Sequence, residues 1–330
     1  MGKEEENRFG LVYDGALTEN IPGKVNIRPV KYELRGLKIA ANVYVPADFD
    51  ENGRYAAVVV AHPNGGVKEQ VAGLYAQKLA DMGYVAMAFD ASYQGQSEGM
   101  PRNTDKPQNR VEDIHGALDF IVNYEGVDRE RVGILGICGG GGYTLRAAQT
   151  DKRIKAVATL SAFNTGIVRK NGFLDSQMDT ITERLTDAYK AGEDELSGKE
   201  VRYTPNMLDT MSPEEAEKMP FDLYKDGYVY YGITHKHTGS SFAYTLSSNI
   251  DLFAFDARTG MEMIDQPLLM MAGKCADTLY MTEGCYERAT GTKNKELFLI
   301  DGATHIKTYW YPEYVEKITG KLKAFFEKNL

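Results

Sequence analysis

The stretch Val132-Gly133-Ile134-Leu135-Gly136-Ile137-Cys138-Gly139-Gly140 runs from an apolar strand into a glycine-flanked turn. Behind it, Tyr143 to Gln149 reads as a helix. Strand, sharp turn and helix form the context of a nucleophile elbow, in which the central residue takes a strained backbone conformation. The residues around it must then lack a β-carbon, which is why glycines flank Cys138. A Cys at the centre, where Ser is usual, points to covalent acyl chemistry through sulfur. Other readings of a Gly-rich turn fit less well. A Walker loop needs Lys followed by Ser or Thr after its glycines, and Tyr143-Thr144 stands there instead. The dinucleotide fingerprint cannot be laid on Gly136 to Gly142 with a glycine in every slot. A tight turn around a buried, inert Cys is the plain alternative.

Outward from the elbow, strands and helices alternate. Tyr32 to Arg35 and Lys38 to Val45 read as an antiparallel pair, preceded by a mostly irregular arm over residues 1–28. Ala57 to Ala61 and Tyr84 to Phe89 are short apolar runs of the kind buried on both faces of a sheet. Between them, Val71, Leu74, Tyr75, Leu79 and Met82 share one face of a helix closed by Gly83. Val111, Ile114, Leu118 and Ile121 mark another helix, and Ala156 to Leu160 another strand. This alternation predicts an α/β fold with a mostly parallel sheet covered on both faces. It breaks between about residues 165 and 262, a span far longer than an ordinary connection of about 4–6 residues. Leu174, Met178, Ile181 and Leu185 recur there at helical spacing, and Ser212-Pro213-Glu214-Glu215 is a capping box. The span is therefore expected to be a partly helical cap inserted into a single domain of residues 1–330. Strands at Pro267 to Ala272 and Glu296 to Ile300 follow, then a closing helix through Val315, Ile318, Leu322 and Phe325.

A cysteine nucleophile needs a base, and the base an orienting group. In such a sheet these sit on loops at the carboxyl ends of strands. Asp277 follows the strand ending at Ala272, and His305 follows the strand ending at Ile300, giving the chain order nucleophile, acid, His. Asp301 and Asp265 are weaker candidates for the acid. The oxyanion needs two N–H donors: Gly139 after the nucleophile, and Asn64 after Pro63, with Gly65 as runner-up. The start of the helix behind Cys138, and a protonated His305, would favour a thiolate. His62 is expected to shape the oxyanion loop, and His115 to lie near the polar face of a helix. His235 and His237 have no further metal ligand at suitable spacing, so solvated or pocket-lining roles are expected and no metal site. Cys275 and Cys285 read as packing residues.

Of the 330 residues 43% are hydrophobic, enough to bury a large core, and the net charge is −9. That balance argues against nucleic acid as a partner. No apolar run reaches the ~20 residues of a membrane span. The charged start lacks the apolar core of a signal peptide, and three Cys make no disulfide framework. The expectation is a soluble, cytoplasmic protein without cofactor, acting on a small acyl substrate; a homodimer is compatible with it.

The chain resembles the α/β-hydrolase superfamily over about 300 residues. Four stretches carry the resemblance: His62-Pro63-Asn64-Gly65-Gly66-Val67-Lys68-Glu69-Gln70, Phe89-Asp90-Ala91-Ser92-Tyr93-Gln94-Gly95-Gln96-Ser97-Glu98-Gly99, Gly136 to Tyr143, and Gly302-Ala303-Thr304-His305. Cys in the elbow, with Asp and His following, is similar to dienelactone hydrolases. The closer likeness is to the related YcjY-like bacterial hydrolases, and fungal polyketide transferases look distantly similar. The resemblance implies a hydrolase of esters, thioesters or lactones working through Cys138, His305 and Asp277. Transfer of the acyl group to an acceptor other than water, or a binding module on the same fold, are the alternatives. Asp90 and Ser97 are expected to hold their turn. Dienelactone hydrolases lack the insertion, so their small substrate does not carry over.

Overall fold

The computed structural model describes residues 7–330. Eight strands form one sheet: β1 Asn26–Leu34, β2 Leu37–Val45, β3 Tyr55–Ala61, β4 Val85–Phe89, β5 Val127–Ile137, β6 Ile154–Leu160, β7 Leu268–Gly273 and β8 Lys295–Ile300. Their order is β1-β2-β4-β3-β5-β6-β7-β8. β1 and β2 pair antiparallel, as do β2 and β4; every other neighbouring pair is parallel. The first strand begins six residues before the apolar signal at Tyr32, because an edge strand with alternating exposure needs little apolar content.

The central strands read as runs of small and branched side chains because both of their faces are covered. On β3, Val58 and Val60 join the core under helices α1 (Val71–Asp81) and α11 (Pro312–Asn329). Ala57, Val59 and Ala61 point the other way, toward α2 (Pro107–Ile121) and α3 (Gly139–Ala148). Each fully buried valine contributes about 1.5–3 kcal/mol relative to leaving it in water. The sheet is thus held from both faces, and its rigid carboxyl edge is left to carry loops. β3 turns back toward β4 while β5 proceeds to β6 on the other side, so the topological switch lies between β3 and β5. A crevice opens outside the carboxyl ends at such a point. The residues that leave those two ends are His62-Pro63-Asn64 and Cys138.

Residues 7–25 carry no strand or helix but pack firmly. Leu11 and Tyr13 are buried, and the Tyr13 hydroxyl donates to Gln77 Oε1 at 2.9 Å. The turn after β4 is built as expected. Asp90 accepts from the Lys68 and Gln96 backbone N–H groups, both at 2.8 Å, and Ser97 Oγ donates to the Asp90 carbonyl at 2.7 Å.

Between β6 and β7 lie α4 (Thr165–Asn171), α5 (Ile181–Leu196), α6 (Met207–Thr210), α7 (Pro213–Glu217), α8 (Asp222–Tyr228), a π-helical turn Val229–Thr234 and α9 (Asn249–Leu252). The capping box at Ser212 is present, with Glu215 reciprocating. The periodicity through Leu174 and Met178 does not continue the helix: α5 starts only at Ile181. Gly172 at φ 77° and Leu174 at φ 54° break the chain there, and Leu174 and Met178 stay exposed. No helix among the described residues is long and apolar enough to cross a membrane.

Candidate active site

β5 delivers Cys138 to the switch point and α3 starts at the next residue. Cys138 adopts φ 54° and ψ −123°, a conformation that costs a side-chain-bearing residue about 1–3 kcal/mol. The packing around it enforces the turn. A β-carbon on Gly140 would stand 2.5 Å from the Ala61 carbonyl oxygen, and one on Gly136 2.5 Å from Thr144 Oγ1. A β-carbon on Gly139 would collide with the Asn64 side chain. Gly139 and Gly140 are therefore required by close approach of the β3 loop to the start of α3, and Gly136 by the packing of α3 on the end of β5.

The backbone N–H groups of Gly139 and Asn64 and the hydroxyl of Tyr309 neighbour the sulfur and favour its charged form. Burial lifts the thiol above its ordinary pKa, and these neighbours only partly offset that. His305 is fully buried, and burial with no adjacent carboxylate pushes its pKa down to about 3. The resting groups are consequently a thiol and a neutral imidazole. The thiolate that the start of α3 would favour is therefore not the resting form, because burial makes the charged forms the costly ones.

The imidazole is held at both nitrogens. Its Nε2 lies 3.0 Å from the Tyr309 hydroxyl, and its Nδ1 lies 2.6 Å from Thr278 Oγ1. With Tyr309 donating to Nε2, Nδ1 carries the hydrogen and donates to Thr278. Tyr309 thus hydrogen-bonds the imidazole and neighbours the sulfur, which places it between the two. Asp277 stands apart from this chain. Its Oδ2 accepts the Leu223 N–H at 3.1 Å, and its Oδ1 is buried without a partner. Burial and the neighbouring Asp222 and Asp226 raise its pKa. The expected Asp277–His305 hydrogen bond is replaced by one from the adjacent residue, because the loop turns the Asp277 carboxylate toward the start of α8 and Thr278 toward the ring.

This arrangement orders two substitutions. Thr278→Val should lower kcat for the reaction at Cys138 by about tenfold, since it removes the acceptor that sets the tautomer. Asp277→Asn should change kcat less than about threefold, because it leaves the Thr278 hydrogen bond in place. Steady-state kinetics of the two variants decides the order; a greater loss in Asp277→Asn would make Asp277 the orienting group.

His62 shapes the loop as expected. Its Nε2 accepts from the Ala91 N–H at 3.0 Å, and its Nδ1 lies 2.7 Å from the Pro63 carbonyl oxygen. Asn64 is fixed by its side chain, which donates to Thr165 Oγ1 at 2.8 Å. His115 pairs with Asp151 at 3.0 Å on the outside of the sheet. His235 is neither solvated nor pocket-lining: it is buried, stacked on Tyr230 with ring centroids 4.3 Å apart. His237 Nδ1 accepts from the Gly239 N–H at 3.0 Å. Among the described residues no three His, Cys, Asp or Glu side chains gather as metal ligands.

A cavity of about 310 Å³ opens over the sulfur. Its floor is Asn64, Cys138, Phe163, Ile306 and Tyr309. Its walls come from the segment between β6 and β7, chiefly Val168, Arg169, Met207, Leu223, Tyr224, Tyr231, Phe242 and Tyr244. Three residues here escape a reading of the sequence: Thr278, Tyr309 and Arg169. Tyr309 lies four residues after His305 across a short helical turn, a spacing that brings side chains together; that was the available signal.

Comparison with known proteins agrees with this architecture. Residues 39–181 match the model of the dienelactone hydrolase family. The chain is 35% identical to the uncharacterized protein YcjY of Escherichia coli strain K12 over 297 residues, 89% of this chain and 95% of that one. It is 32% identical to the uncharacterized protein PA2218 of Pseudomonas aeruginosa over 329 residues, 94% of this chain and 82% of that one. The crystal structure of PA2218 superposes with a TM-score of 0.83, covering 93% of this chain and 94% of that chain. Over 160 residues, 48% of this chain and 49% of the relative, it is 31% identical to thiohydrolase aneE of Aspergillus aculeatus. With its eight-stranded sheet, its elbow and these relatives along nearly its whole length, the chain belongs to the α/β-hydrolases related to dienelactone hydrolase, in the group of YcjY and PA2218.

Proposed function

We propose that this protein hydrolyses carboxylic thioesters and esters through an acyl-enzyme on Cys138. The observation that carries the reading is the convergence on one sulfur, beneath a cavity, of two backbone N–H groups and a Tyr309–His305 hydrogen-bond chain. The substrate carbonyl lies over Cys138 with its oxygen toward the N–H groups of Gly139 and Asn64. The Tyr309 hydroxyl takes the thiol proton as it gives its own to His305 Nε2. The sulfur then attacks, and the carbonyl oxygen gains negative charge held by the two N–H groups. As the tetrahedral centre collapses, the bond to the leaving thiol or alcohol breaks, and that group leaves with the proton that His305 had received from the Cys138 thiol. Water enters, gives a proton to His305 and attacks the acyl carbon; the carbon–sulfur bond then breaks, and the sulfur takes that proton from His305 through the Tyr309 hydroxyl, which restores the thiol and the neutral imidazole. Thr278 holds the imidazole in the required tautomer throughout. The likeness to a thiohydrolase supports thioesters as the first class to test.

The test is turnover of N-acetylcysteamine thioesters and p-nitrophenyl esters of increasing acyl length in buffer alone. One free thiol or phenol and one carboxylic acid per turnover is the expected result. Release only when an amine, alcohol or thiol acceptor is added would make the protein an acyltransferase instead. No release under either condition would overturn the reading.

The neutral resting pair sets the pH dependence. His305 must be unprotonated to accept a proton, and its pKa near 3 keeps it so well below neutrality. The rate of acylation should therefore be flat from about pH 8 down to about pH 5. An acid limb centred near 6.5, the ordinary value for imidazole, would show that the ring is hydrated in solution.

A further inference from the structure

Arg169, on α4, lines the cavity above Cys138. Among the described residues no carboxylate forms an ion pair with it and no acceptor takes a hydrogen bond from its guanidinium. Its Nε is buried without a partner. Its carbon Cζ lies 4.6 Å from the centroid of the Tyr244 ring, which fixes the plane of the fork. Of the acids, Asp105 acts on it most strongly through space, from the polar recess that it shares with Arg169 next to the cavity, yet stays beyond ion-pair reach. A guanidinium that lines a cavity with no ion-pair partner among the described residues retains a strong demand for a planar, bidentate anion. The cavity that both line has mainly apolar and aromatic walls, among them Phe163, Val168, Leu223, Tyr231 and Phe242.

We propose that Arg169 receives a carboxylate on the acyl part of the substrate, so that the protein acts on monothioesters and monoesters of dicarboxylic acids with an apolar spacer. The inference rests on Cys138 being the nucleophile. The carbonyl end sits at the N–H groups of Gly139 and Asn64, the spacer lies along the apolar walls, and the far carboxylate docks on the guanidinium. At about 310 Å³ the cavity is at the small end of ligand pockets, which suits a short diacid better than a long fatty chain.

The test compares the N-acetylcysteamine monothioester of adipic acid with its neutral partner, the same compound as a methyl ester at the far carboxyl. The wild-type protein should favour the carboxylate form by about tenfold or more in kcat/KM. Arg169→Met should bring that ratio to about one, and Arg169→Lys should keep part of it, because the charge remains but the fork is lost. A ratio near one in the wild-type protein, which needs no variant to fold, overturns the proposal, as does an unchanged ratio in Arg169→Met. A preference seen only when the carboxylate is placed on the leaving thiol overturns it too. If neither thioester turns over, the nucleophile reading has failed, and calorimetry of adipate with the wild-type and Arg169→Met proteins decides the role of Arg169. Binding by the wild-type protein that is lost in the variant sustains the proposal; no binding, or equal binding, overturns it.

Discussion

Cys138→Ala is expected to lower turnover of the best thioester about 10,000-fold while the protein stays folded. The reasoning is local. Alanine fits the turn as well as cysteine does, because the strained φ of 54° constrains the backbone and not the sulfur. The two N–H donors and the cavity remain, so binding persists and only the bond-forming atom is gone. The other thiols cannot replace it: Cys275 is exposed on the β7 loop and Cys285 is buried on the helix that follows, Leu279–Arg288. Kinetics of the variant, with its thermal melt as a folding control, checks this; turnover within about tenfold of wild type would mean that water attacks directly.

His305→Ala is expected to cost about 1,000-fold in the acylation step. With the thiol raised by burial, sulfur is protonated at neutral pH and must be relieved of its proton within the site. No second base is placed to do this, since Asp277 is engaged by the Leu223 N–H. Tyr309→Phe keeps His305 but removes the hydroxyl placed between it and the sulfur, and should fall between the wild type and His305→Ala. Single-turnover kinetics separates the three proteins. A Tyr309→Phe protein that acylates as fast as the wild type would mean that Cys138 and His305 exchange the proton directly.

The parts of this site that could be read from sequence are those that the backbone dictates. Gly136, Gly139 and Gly140 must lack side chains where α3 meets the β3 loop and the end of β5, so the elbow announces itself in residue types. The strands β3, β4 and β6 do so too, because burial on both faces selects small and branched residues. His305 and Asn64 follow from their positions just beyond strand ends. What the sequence hides is direction. Asp277 and Thr278 are neighbours on one loop, and only the fold decides which side chain meets the imidazole. Tyr309 reads as one more aromatic wall residue until His305 is placed beside it. Leu174 and Met178 keep helical spacing although the backbone between Gly172 and Ile181 is not one helix. The charge state of Cys138 and His305 depends on tertiary burial, which local sequence does not encode. Arg169 is one cation among many in sequence, and its lack of an ion-pair partner among the described residues emerges only in three dimensions.

The proposed mechanism requires a covalent bond between the substrate acyl group and Cys138. Trypsin separates the thiols cleanly, since cleavage after Arg131 and Arg146 isolates Cys138, and cleavage after Lys274 and Arg288 keeps Cys275 and Cys285 together. The measurement is acid quench of the protein within the first turnovers of p-nitrophenyl acetate, followed by peptide mass spectrometry. The account predicts an acetyl group on the peptide Val132–Arg146, absent from Cys138→Ala and absent from the peptide Cys275–Arg288 of either protein. Turnover with the Val132–Arg146 peptide unmodified at every quench time, or acetylation confined to the peptide that carries Cys275, would contradict it.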